Sequence, residues 1–254
     1  MSITNVIAQV SDVAFYREFL QAAPVGEPTA DRAVLDLGIA TLELLRKDGG
    51  RPSTWRESDT YRGFRHIGLK VKDLDAVVVR LKGAGATFRL DPLDVPRSGA
   101  RIAFFFDPDG LVIELVERHL TYHDVHDEAA VADELSMPAP GRPRFDHIGH
   151  TVADLDRALA YYGPLGFTHA GTLHVEGTEG DRLDFLRSGQ TVLELFSFLH
   201  EPTIPNPVDA EALGFVAMEV PGVSADNGRP VTVLPDGRVV IADADDLGLI
   251  GAHA

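Results

Sequence analysis

An internal repeat constrains this chain more than any other feature of its sequence. The pattern F-x-H-I-G-x-x-V-x-D-L-D occurs at residues 64–75 and again 81 positions later, at residues 145–156. A second shared pattern, V-[IL]-E-L, closes each copy at residues 112–115 and 192–195. The histidine and the glutamate are 48 positions apart in one copy and 47 in the other. Such self-similarity indicates one supersecondary unit that is used more than once.

Each copy carries the signals of one strand, one helix and three further strands. Residues 66–71 alternate in polarity, as a half-buried strand does. Asp73 and Asp154 then stand where a helix N-cap is expected, and apolar residues follow at helical spacing. The sequence Asp107-Pro-Asp-Gly110 predicts a tight turn between the last two strands. The copies therefore predict β-α-β-β-β modules and an α+β fold class.

Two weaker copies extend the pattern to the ends of the chain. Residues 5–13 align with the start of the first strong copy, and Thr41-Leu-Glu-Leu44 matches its final strand. Residues 215–220 resemble an opening strand, but the composition of residues 221–228 is that of a loop rather than a helix. We therefore predict four βαβββ modules, of which the fourth is eroded.

These modules predict two domains on either side of a polar linker. The linker ends in Pro138-Ala-Pro-Gly-Arg-Pro143, which can continue neither a helix nor a central strand. The predicted boundaries are residues 1–119 for modules one and two, 120–143 for the linker, and 144–254 for modules three and four.

Composition limits the classes of partner. The chain has 254 residues, a formal net charge of −16 and no cysteine. This negative charge disfavours nucleic acid and anionic membranes, which require clustered basic residues. Residues 1–10 lack the basic start and apolar run of a signal peptide, so we expect a cytoplasmic protein. A small-molecule substrate or ligand is the expected partner, bound by a monomer or homodimer.

The modules resemble those of the vicinal-oxygen-chelate superfamily, which includes glyoxalases, bleomycin-resistance proteins and dioxygenases. The resemblance rests on His66-Ile-Gly, residues 107–115, His147-Ile-Gly and Leu193-Glu-Leu195. It implies that two modules form a cup of curved mixed sheet, with helices outside and a metal ion at the floor. The ligand positions that it implies are Asn5 and Glu43, His66 and Glu114, His147 and Glu194, and Phe215 and Ile250.

Side-chain parity supports two of these pairs independently of the family. His66 lies opposite Ile67 and Leu69, whose apolar face must cover the helix, and Glu114 has the same relation to its neighbours. A carboxylate inside a cup is costly unless it is paired or bound to metal. Two histidines and two glutamates suit Zn, Ni, Co, Fe or Mn. We predict Glu114 and Glu194 as catalytic residues and the following metal ligands: His66, Glu114, His147 and Glu194.

The predicted function is that of a metal-dependent isomerase, epimerase or lyase. It would act through a metal-chelated enolate on a small substrate with adjacent oxygens. Two alternatives stay open. One is an extradiol-type dioxygenase, whose chemistry uses two histidines and one carboxylate around iron. The other is a metal-free protein that binds a drug or metabolite in an inherited cup, as bleomycin-resistance proteins do.

The pairing of modules decides whether the four ligands meet. Sequential pairing, one with two and three with four, separates His66 from His147. Crossed pairing, two with three and one with four, brings them together and leaves the second cup without a complete ligand set. We predict crossed pairing, because both partners of a working site keep their ligands. It requires ring nitrogens of the two histidines to lie within about 4 Å.

Other polar residues receive simpler interpretations. His150 shares parity with apolar neighbours, so we expect it to be packed beneath the helix. The histidines at positions 119, 123 and 126 have helical spacing and are interpreted as a solvated linker face rather than a surface metal site. Candidates for the cup rim are Arg101, Arg182 and Asp184.

Overall fold

The computed structural model describes residues 2–177, 180–199, 201–206, 211–223, 232–234 and 236–242. Module one comprises β1 (Asn5–Val10), α1 (Val13–Leu20), β2 (Ala23–Pro24), β3 (Arg32–Asp36) and β4 (Thr41–Arg46). After a 3-10 turn at Thr54–Arg56, module two comprises β5 (Gly63–Val71), α2 (Leu74–Gly83), β6 (Thr87–Asp94), β7 (Arg101–Phe106) and β8 (Val112–Glu117).

The second half of the chain begins with two elements of the linker, β9 (Asp124–Val125) and α3 (Glu128–Ser136). Module three comprises β10 (Arg144–Thr151), α4 (Leu155–Tyr162) with a 3-10 turn at Gly163–Leu165, β11 (Thr168–His174), β12 (Arg182–Ser188) and β13 (Thr191–Ser197). Module four comprises β14 (Gly214–Glu219), β15 (Thr232–Val233) and β16 (Val239–Ala242).

Three modules have the predicted β-α-β-β-β order, which confirms the α+β fold class. In module four, residues 221–223 form a turn after β14, and no helix follows it within the described ranges. Residues 224–228 of the predicted loop, and the predicted ligand position Ile250, lie outside the described residues.

The module helices begin at the predicted caps. The Asp73 carboxylate accepts a hydrogen bond from the backbone N–H of Ala76 at 2.9 Å, and the Asp154 carboxylate accepts one from Arg157 at 3.0 Å. Each satisfies a backbone donor that the first helical turn leaves unpaired. The cap therefore fixes the point at which the chain leaves the sheet and enters the helix.

The strands form two mixed sheets that each draw on both halves of the chain. One has nine strands in the order β6-β7-β8-β5-β10-β13-β12-β11-β9, and the other has seven in the order β15-β16-β14-β1-β4-β3-β2. Modules two and three are joined by the antiparallel pair β5 and β10, and modules one and four by the pair β1 and β14. This arrangement confirms the crossed pairing of modules. Residues 120–143 therefore lie between modules two and three in the sequence, although these two modules share one sheet.

The strand register corrects the alignment of module four. Phe215 pairs with Ala8, just as Phe145 pairs with Leu69 in the other sheet, and both strands carry a bulge at the next residue. The residue opposite Ile7, in the place that His147 takes opposite Gly68, is consequently Ala217. Placing Phe215 at a ligand position was wrong by two residues, because a bulge and an eroded sequence conceal the register.

The segment 120–143 is a structured wall rather than a plain linker. Its strand β9 extends the edge of the nine-stranded sheet beside β11, and its helix α3 follows directly. Tyr122, Glu134 and Met137 are buried. As the prolines predict, residues 138–143 form neither helix nor strand. None of the helices in the described ranges is long and apolar enough to span a membrane.

Candidate metal centre and cavity

The four predicted ligands lie on the four central strands of the nine-stranded sheet. Glu114 is on β8, His66 on β5, His147 on β10 and Glu194 on β13, and these strands are consecutive neighbours. All four side chains are buried. The antiparallel junction of β5 and β10 pairs His66 with Gly149 and His147 with Gly68, so the two histidines occupy staggered positions across it.

Two glycines make room for these histidines. A Cβ on Gly68 would lie 2.0 Å from the His147 ring, and a Cβ on Gly149 would lie 2.2 Å from the His66 ring. Each imidazole therefore crosses directly over the glycine of the opposite strand. The H-I-G pattern has a physical reason, because the glycine two residues after one histidine admits the ring of the other.

The donor atoms converge on one point. The Nε2 atoms of His66 and His147 are 3.0 Å apart. Glu114 Oε2 lies 3.1 Å from His66 Nε2 and 2.9 Å from His147 Nε2. Glu194 Oε2 lies 3.2 Å and 3.3 Å from the same two nitrogens. Donors bound to one ion at about 2.1 Å are separated by about 3.0 Å at right angles and about 3.4 Å in a tetrahedron. The separations therefore fit a single divalent ion.

The electrostatics of the cluster also fit a cation. Burial raises the pKa of Glu194, but the two neighbouring imidazoles outweigh it and lower this pKa to about 2. Burial lowers the pKa of His147, but Asp146, Glu114 and Glu194 together raise it well above its usual value. Within the described part of the chain, Glu194 Oε2 has no hydrogen-bond partner. This buried, ionised oxygen contacts the two ring nitrogens without a well-aligned hydrogen bond, and a metal ion between them would satisfy it.

Asp146 and Lys70 hold the His147 ring and were missed by the sequence analysis. Asp146 Oδ2 lies 3.1 Å from His147 Nδ1, and Lys70 Nζ lies 3.5 Å from the other oxygen of this carboxylate. A carboxylate on the far nitrogen fixes the tautomer of a metal-binding histidine and turns its Nε2 toward the ion. Alternation along a strand places adjacent residues on opposite faces, so parity gave no signal for a contact between neighbours.

A cavity opens beside the cluster. It measures about 710 Å³, including solvent at its mouth, and Glu114, His147 and Glu194 form part of its wall. Its other polar wall residues include Lys70, His119, Glu134, Asp146, Arg187 and Gln190. Its apolar wall includes Ile102, Val116, Leu120, Tyr122, Met137, Leu173, Phe185 and Val192. The segment 120–143 thus encloses one side of a largely apolar chamber whose floor carries the ligand cluster.

The remaining predicted residues lie elsewhere. The rim candidates are wrong, because none of them lines the cavity: Arg101 pairs with Asp75, while Arg182 pairs with the buried Asp184. His150 is buried and its Nδ1 lies 3.1 Å from the Tyr162 hydroxyl, which confirms that it packs beneath the helix.

The second cup carries a salt-bridge network in place of the ligand set. Glu43 is buried and accepts hydrogen bonds from Arg238 at 2.6 Å, Arg32 at 2.6 Å and Asn5 at 3.0 Å. Burial raises the pKa of Glu43, but these hydrogen bonds outweigh it and lower this pKa to about 2. The Arg238 guanidinium therefore supplies positive charge beside Glu43. Ala217 occupies the position that corresponds to His147 in the other sheet.

Comparison with protein families establishes the class of this protein. Residues 11–115 and 144–226 match the model of the Glyoxalase/Bleomycin resistance protein/Dioxygenase superfamily. Since these segments make up most of the chain, the protein belongs to this superfamily, as the His-Ile-Gly and terminal Glu patterns indicated.

Two curated relatives match over part of their length. The chain is 30% identical over 104 residues to the lactoylglutathione lyase GLX1 of Arabidopsis thaliana. This match covers 41% of this chain and 30% of that protein. It is 41% identical over 59 residues to the uncharacterized protein YaeR of Escherichia coli K12. This match covers 22% of this chain and 43% of that protein. Both matches span less than half of the relative.

Solved structures share the fold at low identity. Glyoxalase I from Zea mays superimposes with a TM-score of 0.60 and 20% identity, over 79% of this chain and 69% of that chain. A putative dioxygenase from Bacillus subtilis gives a TM-score of 0.56 and 17% identity, over 84% and 68%. This likeness concerns the fold alone.

Proposed function

We propose that this protein is a divalent-metal-dependent isomerase, epimerase or lyase of the glyoxalase type, acting on a small substrate with two adjacent oxygen atoms. One observation carries the proposal: four buried donor atoms, two imidazole and two carboxylate, meet beside a largely apolar cavity. A metal-free binding cup gains nothing from two carboxylates and two imidazoles buried together, since their desolvation costs free energy of folding.

The chain offers the parts that this chemistry needs. When bound by His66, Glu114, His147 and Glu194, a divalent ion would polarise a substrate carbonyl and stabilise the negative charge that develops on its oxygen. Glu114 and Glu194 also face the cavity, so either carboxylate can carry a proton between neighbouring substrate carbons.

Proton exchange in deuterated water tests the proposal. Metal-free protein is loaded in turn with Zn²⁺, Ni²⁺, Co²⁺ or Mn²⁺ and mixed with 2-hydroxy aldehydes, 2-hydroxy ketones and thiol adducts of 2-oxoaldehydes. We expect the proton on the carbon beside the carbonyl of a substrate to exchange, as followed by proton NMR. Glu114→Gln and Glu194→Gln should each lower the rate by about 10²–10⁴-fold.

Glu117→Gln is the matched control, because Glu117 lies on the same strand as Glu114 but outside the cavity. Equal rates in Glu114→Gln, Glu194→Gln and the control would refute the role of these carboxylates. Cleavage of catechols by the Fe²⁺ form, without proton exchange, would instead support an extradiol-type dioxygenase. Less than about a tenth of an equivalent of metal after growth in metal-replete medium would favour a metal-free binding protein.

A further inference from the structure

A second group of metal-ligand side chains lies on the opposite face of the nine-stranded sheet. On β12, Leu183 and Phe185 line the cavity, so Asp184 between them points to the other face. There it meets His169 from β11 and His126, which follows β9. We infer that His126, His169 and Asp184 form a second transition-metal site, which fastens the segment 120–143 to the sheet.

The three side chains are grouped around one point. Asp184 Oδ1 lies 3.0 Å from His169 Nε2, and the rings of His126 and His169 face each other with centroids 4.0 Å apart. One ligand atom from each residue lies within 4.8 Å of the other two. Thr172 Oγ1 occupies the middle of the group, 2.9 Å from His126 Nε2 and 2.7 Å from Asp184 Oδ1. A bound ion would take over these hydrogen bonds.

The Asp184 carboxylate is oriented so that one of its oxygens faces the imidazoles. Its Oδ2 accepts a hydrogen bond from Arg182 Nε at 2.8 Å, which leaves Oδ1 on the side of His169 and Thr172. This side chain is fully buried, so its orientation is fixed by the sheet rather than by solvent. A carboxylate oriented by a cation and presented to two imidazoles is a donor set that suits Zn²⁺, Co²⁺ or Ni²⁺.

The position of the group in the chain gives it a role. His126 belongs to the segment whose Tyr122, Glu134 and Met137 enclose the cavity, whereas His169 and Asp184 belong to the sheet. An ion at this site would therefore fix one cavity wall. The helical spacing expected at positions 119, 123 and 126 is wrong, because the chain is extended at β9. His126 is exposed, as expected, and its ring nitrogen reaches Thr172 on the sheet.

Titration of metal-free protein with Zn²⁺ counts the sites. Isothermal calorimetry should give two equivalents for the wild-type chain and one for either His126→Gln or His169→Gln. His147→Gln removes a ligand of the central site and should leave the site of His126, His169 and Asp184 intact. The inference is thus tested separately from the proposed function. His174→Gln is the matched control. Like His169, this histidine lies on β11, but it is exposed and pairs with Asp124 outside the proposed site. The variant should therefore keep two equivalents.

Proteolysis of the segment 120–143 provides a second measurement. In the His147→Gln protein, Zn²⁺ should slow its cleavage, and this protection should vanish in His147→Gln/His169→Gln. His126 is exposed, so His126→Gln tests the site without disturbing the core. Loss of all Zn²⁺ binding in His147→Gln, two equivalents in both His126→Gln and His169→Gln, or protection that persists in the double variant would each overturn the inference.

Discussion

Replacing Gly149 by alanine should abolish tight metal binding without changing any ligand. The new Cβ would lie 2.2 Å from the Cε1 atom and 2.5 Å from both nitrogens of the His66 ring. Gly149 does not have the positive φ that alanine avoids, so the perturbation is purely steric. To reach the ordinary contact distance of 3.4 Å, the ring must retreat by about 1.2 Å, and overpacking of this kind costs about 1–3 kcal/mol.

That displacement exceeds what a metal site tolerates. Bond lengths in such sites hold to within about 0.2 Å, so a shift of about 1.2 Å removes His66 from the ligand set. Loss of even a supporting partner of a ligand lowers metal affinity by about 10–100-fold, so loss of the ligand itself should lower it by more than about 100-fold. Competition with a chromophoric chelator for Zn²⁺ measures this ratio.

Gly83→Ala is the matched control, because its new Cβ would have no atom within 4 Å and its φ is not positive. Circular dichroism should show that both variants fold. If Gly149→Ala binds Zn²⁺ at the central site as tightly as Gly83→Ala does, the placement of His66 over Gly149 is refuted.

Three further predictions concern single side chains. Asp146→Asn should weaken the central site by about 10–100-fold in the same competition assay, because His147 loses the carboxylate that orients its ring; unchanged affinity would contradict this. Arg238→Ala should lower the free energy of unfolding in urea by about 1–3 kcal/mol, since Glu43 keeps Arg32 but loses a partner; no change would contradict the network. Burial lowers the pKa of His150 to about 3, so the unfolded chain binds its proton first as the pH falls. Its contribution to stability should thus fall by about 2–3 kcal/mol between pH 7.5 and 4.5, and His150→Phe should lack this part of the acid loss.

The fold and the meeting of the four side chains could be predicted because local signals and repetition agree. The caps Asp73 and Asp154 and the alternating strands specify each module from nearby residues alone. The repeat then supplies the long-range information that local signals lack. Two histidines at equivalent positions of two modules meet only if those modules share a sheet, and the 3.0 Å separation of their Nε2 atoms shows that they do.

Other features escaped prediction because they depend on contacts between distant segments. Arg238 reaches Glu43 across 195 positions of sequence, and neither residue marks the other as its partner. The segment 120–143 is polar, yet it buries Tyr122 and Glu134, because the Tyr122 hydroxyl donates to the Glu134 carboxylate at 2.6 Å. The roles of Gly68 and Gly149 had a usable signal, since both strong copies place glycine two residues after the histidine. Its meaning depended on knowing that the two strands are antiparallel neighbours.

Anomalous X-ray diffraction from crystals of the Zn²⁺-loaded protein shows whether one ion is bound by all four side chains. We expect a strong anomalous peak at about 2.1 Å from the Nε2 atoms of both His66 and His147, with Glu114 and Glu194 completing the protein ligands. Absence of a peak between these two nitrogens, while the protein is saturated with Zn²⁺ in solution, would contradict it.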